Sequence, residues 1–361
     1  MANETRQAPF MTVIFIVLTI VVILLTAAAF LEVTTEAPVT SRATSAVQEV
    51  EVDEEEAEPE PSPVYFATMT HLEGGWTQAL QSEFFFDKQA SYLRQAYDYA
   101  EQYDAVITIE SEIPMAEAMI KWDDNLLQEA LDRGQGVGTH CDIDPRTTFS
   151  TQEIIAEFVA RKEAVDALVD PSENLGCAGG GGPSDWYLGA VGAGFTYLDG
   201  IVGFHYLAIP VADRPEGWDN RSILQEYYHY AAPADDSRFY PVFVSEVGFE
   251  EDATGDLLIS AGDIGAIQSI AELDGIEGWE GECDGPCEFT RQDVDVLVKR
   301  IKTLVEGRDE SRIMKLQVYI ATQYYDDPDM EYFFSEMQKL QEEGVIQWAS
   351  QKQVYEALTA S

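Results

Sequence analysis

From residue 64 onward, short apolar runs alternate with amphipathic stretches, and this alternation most restricts the folds open to the chain. VYFATMTHLE (64–73), DAVITIES (104–111), GVGTHCDI (136–143), NLGCAG (174–179), YLDGIVGFHY (197–206), YPVFVSEV (240–247), LQVYIATQ (316–323) and VIQWAS (345–350) read as strands. Helical periodicity fills 84–102, 115–133, 151–169, 184–194, 290–306, 328–343 and 351–359. Strands that are apolar along their whole length belong in a parallel sheet covered by helices. Seven or eight such units in about 300 residues predict an α/β fold, a (β/α)7–8 barrel, rather than two open sheets. No internal repeat accompanies the alternation.

Ahead of the barrel, residues 10–31 read FMTVIFIVLTIVVILLTAAAFL and carry no charge. As a helix this run spans roughly 33 Å, enough to cross a bilayer core. A cleaved signal peptide is the competing reading, with Ala27, Ala28 and Ala29 as small residues for a peptidase. Its apolar region would be unusually long and its basic region only Arg6, so an uncleaved anchor is expected. Arg6 precedes the span and acids follow it, which places residues 1–9 in the cytoplasm and the C-terminal part outside the cell. Residues 32–63, rich in Thr, Ala, Pro and Glu, bury too little to fold and read as an acidic disordered stalk. Residues 64–361 then form the barrel of a single-pass cell-membrane protein.

Acid is spread through the barrel sequence as well. The chain holds 66 Asp and Glu against 21 Lys and Arg, a net charge of −45, and residues 64–361 alone hold 55 acids and 19 bases, a net −36. Nucleic acid is not an expected partner, because binding it begins with a basic footprint. A uniformly acidic, lysine-poor surface over a normal apolar content suits concentrated salt, where screening suppresses self-repulsion, so a halophilic source is expected. An ordinary acidic extracellular protein is the alternative.

Histidine is the scarce residue, with four copies: His71, His140, His205 and His229. His71 and Glu73 close the first strand as H-x-E, and His140 and Asp142 close the third as H-x-D. Residues two apart on a strand share a face, so each pair presents an imidazole and a carboxylate together. Both pairs fall at C-terminal strand ends, where barrel enzymes assemble their sites. Two imidazoles, one or two carboxylates and a position open for water suit a divalent metal ion such as Zn2+. In so acidic a chain an acid near a histidine is weak evidence, and a hydrogen-bonded structural histidine is the alternative for each pair taken alone. His205 closes another predicted strand and can act as a proton donor, whereas His229 in EYYHYAAP reads as part of an aromatic cluster.

Other candidates flank these motifs. Glu110 and Glu112, in TIESEIP, can supply a general base, a metal ligand or contacts to sugar hydroxyls, or can be solvated acids before Pro114. Asp185 in PSDW reads as a helix cap. The run Gly179 to Gly182 lacks the spacing of a nucleotide loop and suits a tight turn. Trp76, Trp186 and Tyr206 can stack on sugar rings or pack in the core. Of the four cysteines, Cys283 and Cys287 suit a small disulfide loop outside the cell. Cys141 points away from the face of His140 and Asp142, and Cys177 can reach it there if the third and fourth strands are neighbours. Asn220-Arg221-Ser222 is a sequon.

The order of TMTHLE, GVGTHCDI, GCAGGGGPSDW and the closing VIQWASQKQVYEAL resembles the polysaccharide deacetylase-like proteins, within the glycoside hydrolase/deacetylase (β/α)-barrel group. Typical members carry an Asp-Asp pair where this chain has His71-Leu72-Glu73, and a histidine pair where only His140 remains, with Asp142 beside it. The resemblance implies a divalent metal in the barrel mouth, with His140 the best-matched ligand and His71, Glu73 and Asp142 ligands or base by position. It implies a hydrolase removing acetyl groups from a polysaccharide or glycan. In such a reaction Glu73, Asp142 or Glu110 is the expected base and His205 the expected acid. A non-catalytic surface domain binding glycan or protein, and a glycosidase using paired carboxylates such as Glu73 and Glu110, are the alternatives.

Overall fold

The computed structural model describes residues 61–72, 77–141, 143, 147–180, 182–200, 236–273 and 288–360. The predicted anchor at 10–31 and the stalk lie outside the described residues. Among the described residues no helix is long and apolar enough to cross a membrane.

Strand β1 (Val64–Leu72) leads through α1 (Thr77–Gln81) and α2 (Glu83–Gln102) to β2 (Thr108–Ser111). Then follow α3 (Ile113–Trp122), α4 (Leu126–Asp132), β3 (Gly136–His140), α5 (Thr151–Asp166), β4 (Gly176–Ala178), α6 (Trp186–Ala193) and β5 (Tyr197–Asp199). The second half holds β6 (Val242–Val244), β7 (Leu257–Ile259), β8 (Asp263–Ala266), α7 (Ile270–Leu273), α8 (Arg291–Glu306), β9 (Met314–Tyr319), α9 (Met330–Glu342), β10 (Gln347–Trp348) and α10 (Gln351–Thr359). Side-chain caps start several helices, with capping boxes Ser150–Glu153 on α5, Thr290–Asp293 on α8 and Ser350–Gln353 on α10. Asp185 caps α6 as expected, accepting from Leu188 N at 3.0 Å.

The strands run β7-β5-β4-β3-β2-β1-β9-β8, parallel throughout, with β10 added parallel to β1 and β6 antiparallel to β7. The two ends of this sheet belong to one stretch of chain. Leu258 N and Ser260 N donate to Thr196 O and Leu198 O beside β5, whereas Gln317 N on β9 donates to Gly262 O. Residues 257–266 therefore act as one kinked strand that pairs on both sides and closes a ring of parallel strands, the expected barrel.

Alternation along each strand separates two environments. Phe66 and Leu72 on β1 join Ile109, Leu316 and Val318 in the main apolar core beneath the helices. Met69, on the opposite face, meets Ala178, Ala266 and Tyr319 from β4, β8 and β9 inside the barrel. A second outer core holds Cys141, Cys177, Phe158, Trp186, Leu198 and Ile259.

Three expectations are corrected. The predicted helix 115–133 is two helices, because Asp123 takes a left-handed conformation (φ 56°) and stops α3. The strand predicted at 104–111 begins at Thr108. Strands β7 and β8 were not expected at all, since each is short and Ser260-Ala261-Gly262 interrupts the apolar run between them.

Candidate functional site

Barrel interiors are ordinarily filled by branched apolar side chains. This one is charged. Facing inward are His71 from β1, Glu110 from β2, His140 from β3, Asp199 from β5, Asp263 from β8 and Lys315 from β9, none more than 2% exposed. Burying so many ionisable groups is costly unless they partner one another.

Toward the C-terminal ends of the strands, His71 and His140 stack with ring centroids 3.9 Å apart and planes 26° from parallel. His71 Nε2 lies 3.2 Å from Glu110 Oε2, and His140 Nδ1 lies 3.5 Å from Glu112 Oε1. Both are close contacts whose angles fall short of aligned hydrogen bonds. Glu112 begins α3 and is the outermost of the four, whereas Glu110 is wholly buried. The ring of Tyr319 packs 5.2 Å from His71.

Beneath the stack, Glu110 and Asp199 face each other across the barrel. The register passes from Glu110 to Gly138 and from Ala178 to Asp199. A side chain at Gly138 would press on Glu110 Cγ at 3.2 Å, so the glycine makes room for the crossing. Burial, reinforced by the neighbouring Asp199 carboxylate, holds the Glu110 carboxyl well above the usual carboxylate range. Burial also raises Asp199, with Lys315 pulling the other way. Burial pushes the Lys315 ammonium down to about 8, against the pull of Asp199, Glu110 and Asp263.

The structure thus brings together His71, His140, Glu110 and Glu112. Glu73, Asp142, His205, Trp76 and Tyr206 lie outside the described residues, as do His229, Asn220, Cys283 and Cys287. Trp186 is a correction. It is 2% exposed and packs in the second outer core, 6.0 Å from the Phe249 ring, so it offers no face to a sugar. Asp199, Asp263, Lys315 and Tyr319 were not anticipated. The available signal was Lys315-x-Gln317-x-Tyr319, a polar face inside an otherwise apolar strand.

The divalent ion implied by the resemblance does not fit the described residues. Among them no group of three or more His, Cys, Asp or Glu side chains is placed to hold a metal ion. The imidazoles stack rather than converge, and each turns a nitrogen to a glutamate. Glu73 and Asp142, the carboxylates expected to complete the set, lie outside the described residues.

No family model and no curated protein matches the chain. Among solved structures, the Puue allantoinase superposes with a TM-score of 0.53 at 11% identity, over 88% of this chain and 99% of that one. Two chains assigned as polysaccharide deacetylases also superpose, each with a TM-score of 0.50. The one from Mycobacterium smegmatis is 10% identical over 91% of this chain and 96% of its own; the one from Pseudomonas aeruginosa PAO1 is 12% identical over 81% and 92%. The chain therefore has the polysaccharide deacetylase-like barrel fold, and the resemblance seen in the motifs holds at the level of the fold.

Proposed function

We propose that the chain is a hydrolase that removes acetyl groups from a polysaccharide or glycan outside the cell, held at the membrane by the apolar run 10–31. The observation that carries the reading is the stacked His71–His140 pair, each imidazole set against a glutamate, at the C-terminal end of a barrel with a charged interior. Carbohydrate as substrate rests on the fold shared with the two chains assigned as polysaccharide deacetylases.

Two imidazoles stacked 3.9 Å apart offer two proton-transfer groups side by side, one to act as the base and one as the acid that acyl transfer needs. His71, oriented by Glu110, takes a proton from the water that attacks the acyl carbonyl. His140, set by Glu112, gives a proton to the departing nitrogen or oxygen. A divalent ion, zinc by the chemistry of imidazole ligands, enters this reading only if Glu73 or Asp142 adds to the ligand set. Metal analysis of the purified protein tests that separately.

The decisive experiment incubates the purified full chain with acetylated glycans and measures acetate. His71→Ala and His140→Ala should each lower the rate by about 100-fold or more, the usual worth of a positioned acid or base. Acetate release at the His140→Ala level from the unmodified chain would overturn the reading.

A further inference from the structure

Both histidines of the site follow a threonine, in MTH (69–71) and GTH (138–140), whereas His205 and His229 follow Phe204 and Tyr228. Consecutive strand residues face opposite ways, so each threonine points out of the barrel where its histidine points in. The outward face is otherwise apolar there: Phe66 and Leu72 on β1, and Val137 and Cys141 on β3, all lie in the outer cores. A valine would fill such a position with no polar group to satisfy, yet both threonines are fully buried and hydrogen-bonded. The Thr70 and Tyr325 hydroxyls are 2.8 Å apart, and Tyr325 belongs to the 3-10 turn Thr322–Asp326 that follows β9. Thr139 Oγ1 donates to Asn174 Oδ1 at 2.8 Å, just ahead of β4. Asn174 is itself tied to α5, its carbonyl accepting from Lys162 Nζ at 2.7 Å and its Nδ2 donating to Asp166 Oδ1 at 2.8 Å.

We propose that Thr70 and Thr139 are positioning residues of the hydrolytic site, outer pins that set where the His71 and His140 rings meet. The strand order β4-β3-β2-β1-β9 puts β2 between the two histidine strands, and both pair with it. The 3.9 Å stack is therefore reached across an intervening strand and depends on how the ends of β1 and β3 stand relative to each other. One pin holds the end of β1 from the β9 side, and the other holds the end of β3 from the β4 side, so the block of three strands is fixed on both flanks. Each pin sits one residue before its histidine, where a shift of the backbone passes directly to the ring. The inference rests on the hydrolase reading for its catalytic consequence, though the two hydrogen bonds and the stack stand without it.

The test compares the full chain with Thr70→Val and Thr139→Val, which keep the shape and lose the hydroxyl, and with Thr70→Ser and Thr139→Ser, which keep the hydroxyl. Acetate release gives kcat and KM, and the ring-nitrogen NMR signals of histidine-labelled protein report on His71 and His140. Each valine variant should lower kcat by about tenfold while KM stays within about twofold, because a misplaced catalytic group slows the reaction and the substrate itself is not touched. The His71 signals should shift in Thr70→Val and the His140 signals in Thr139→Val, and serine should recover most of both effects. Folded valine variants with a lower melting midpoint but unchanged kcat and unchanged imidazole signals overturn the proposal, because the hydroxyls then only stabilise the fold. Should a valine variant not fold, Tyr325→Phe removes the partner of Thr70 while leaving β1 and β3 intact, and the same readouts apply. If the unmodified chain releases no acetate, the hydrolase reading fails on its own, and the imidazole signals alone decide the positioning role.

Discussion

Glu110 meets His71 at one end and Asp199 at the other, and both of its neighbours are as buried as it is. Burial raises both Glu110 and Asp199, so above about pH 4 the folded chain binds protons more readily than the unfolded chain, and the pair's contribution to stability falls as pH rises beyond that point. Glu110→Gln keeps the shape and removes the titration. Thermal melts at pH 5, 7 and 8 should show the variant about 1 kcal/mol more stable at neutral pH and less sensitive to pH, with activity down about 100-fold. Equal pH slopes for the two proteins would place the proton elsewhere. His71 and His140 were legible in the sequence because histidine is rare here and both close predicted strands. Glu110 was visible as an acid after a strand, but its burial was not. Asp199 and Lys315 were illegible for a physical reason: among 66 acids one more at a strand end carries no information, and only closure of the barrel brings β2, β5 and β9 together.

Strands β3 and β4 are joined twice, by their parallel ladder and by the Cys141–Cys177 disulfide, whose Cα atoms are 5.7 Å apart. The ladder places Thr139 opposite Cys177, so both cysteines point outward into the second apolar core while His140 points into the barrel. The bridge spans 36 residues, for which the chain-entropy description gives about 4 kcal/mol of stabilisation. Melting under reducing conditions, or of Cys141→Ala with Cys177→Ala, should lower the midpoint accordingly; an unmoved midpoint would mean the bridge contributes nothing in solution. That pairing was legible because side-chain direction on a strand follows from parity. Longer elements with apolar periodicity were legible too, β1, α2, α5 and β9 among them. Elements set by tertiary pairing were not. β7 and β8 are three and four residues long and exist because β5 and β9 offer free edges to them, while β6 turns antiparallel against β7.

Across the whole molecule, the barrel closes through one kinked stretch at 257–266, and its acid is divided between two regimes. Inside, a few buried acids surround the buried Lys315; outside, they face solvent with few bases to balance them. The net −36 over residues 64–361 makes the compact state self-repelling at low ionic strength. Screening shortens from about 10 Å at 0.1 M to about 3 Å at 1 M salt, which relieves the exposed charges but leaves buried ones nearly untouched. Raising KCl over that range should therefore lift the melting midpoint by on the order of 5 °C, the equivalent of ~2 kcal/mol in a domain of this size. Salt also strengthens apolar burial in general, so the charge argument needs its own control. Glu83, Glu163 and Glu306 are exposed. Replacing all three by lysine removes part of the surplus without touching the interior. The variant should be more stable than the parent at 0.1 M KCl, and the two should converge by 1 M. Parallel salt curves would show that the surface acid does not govern stability, and the halophilic reading of the composition would lose its physical basis.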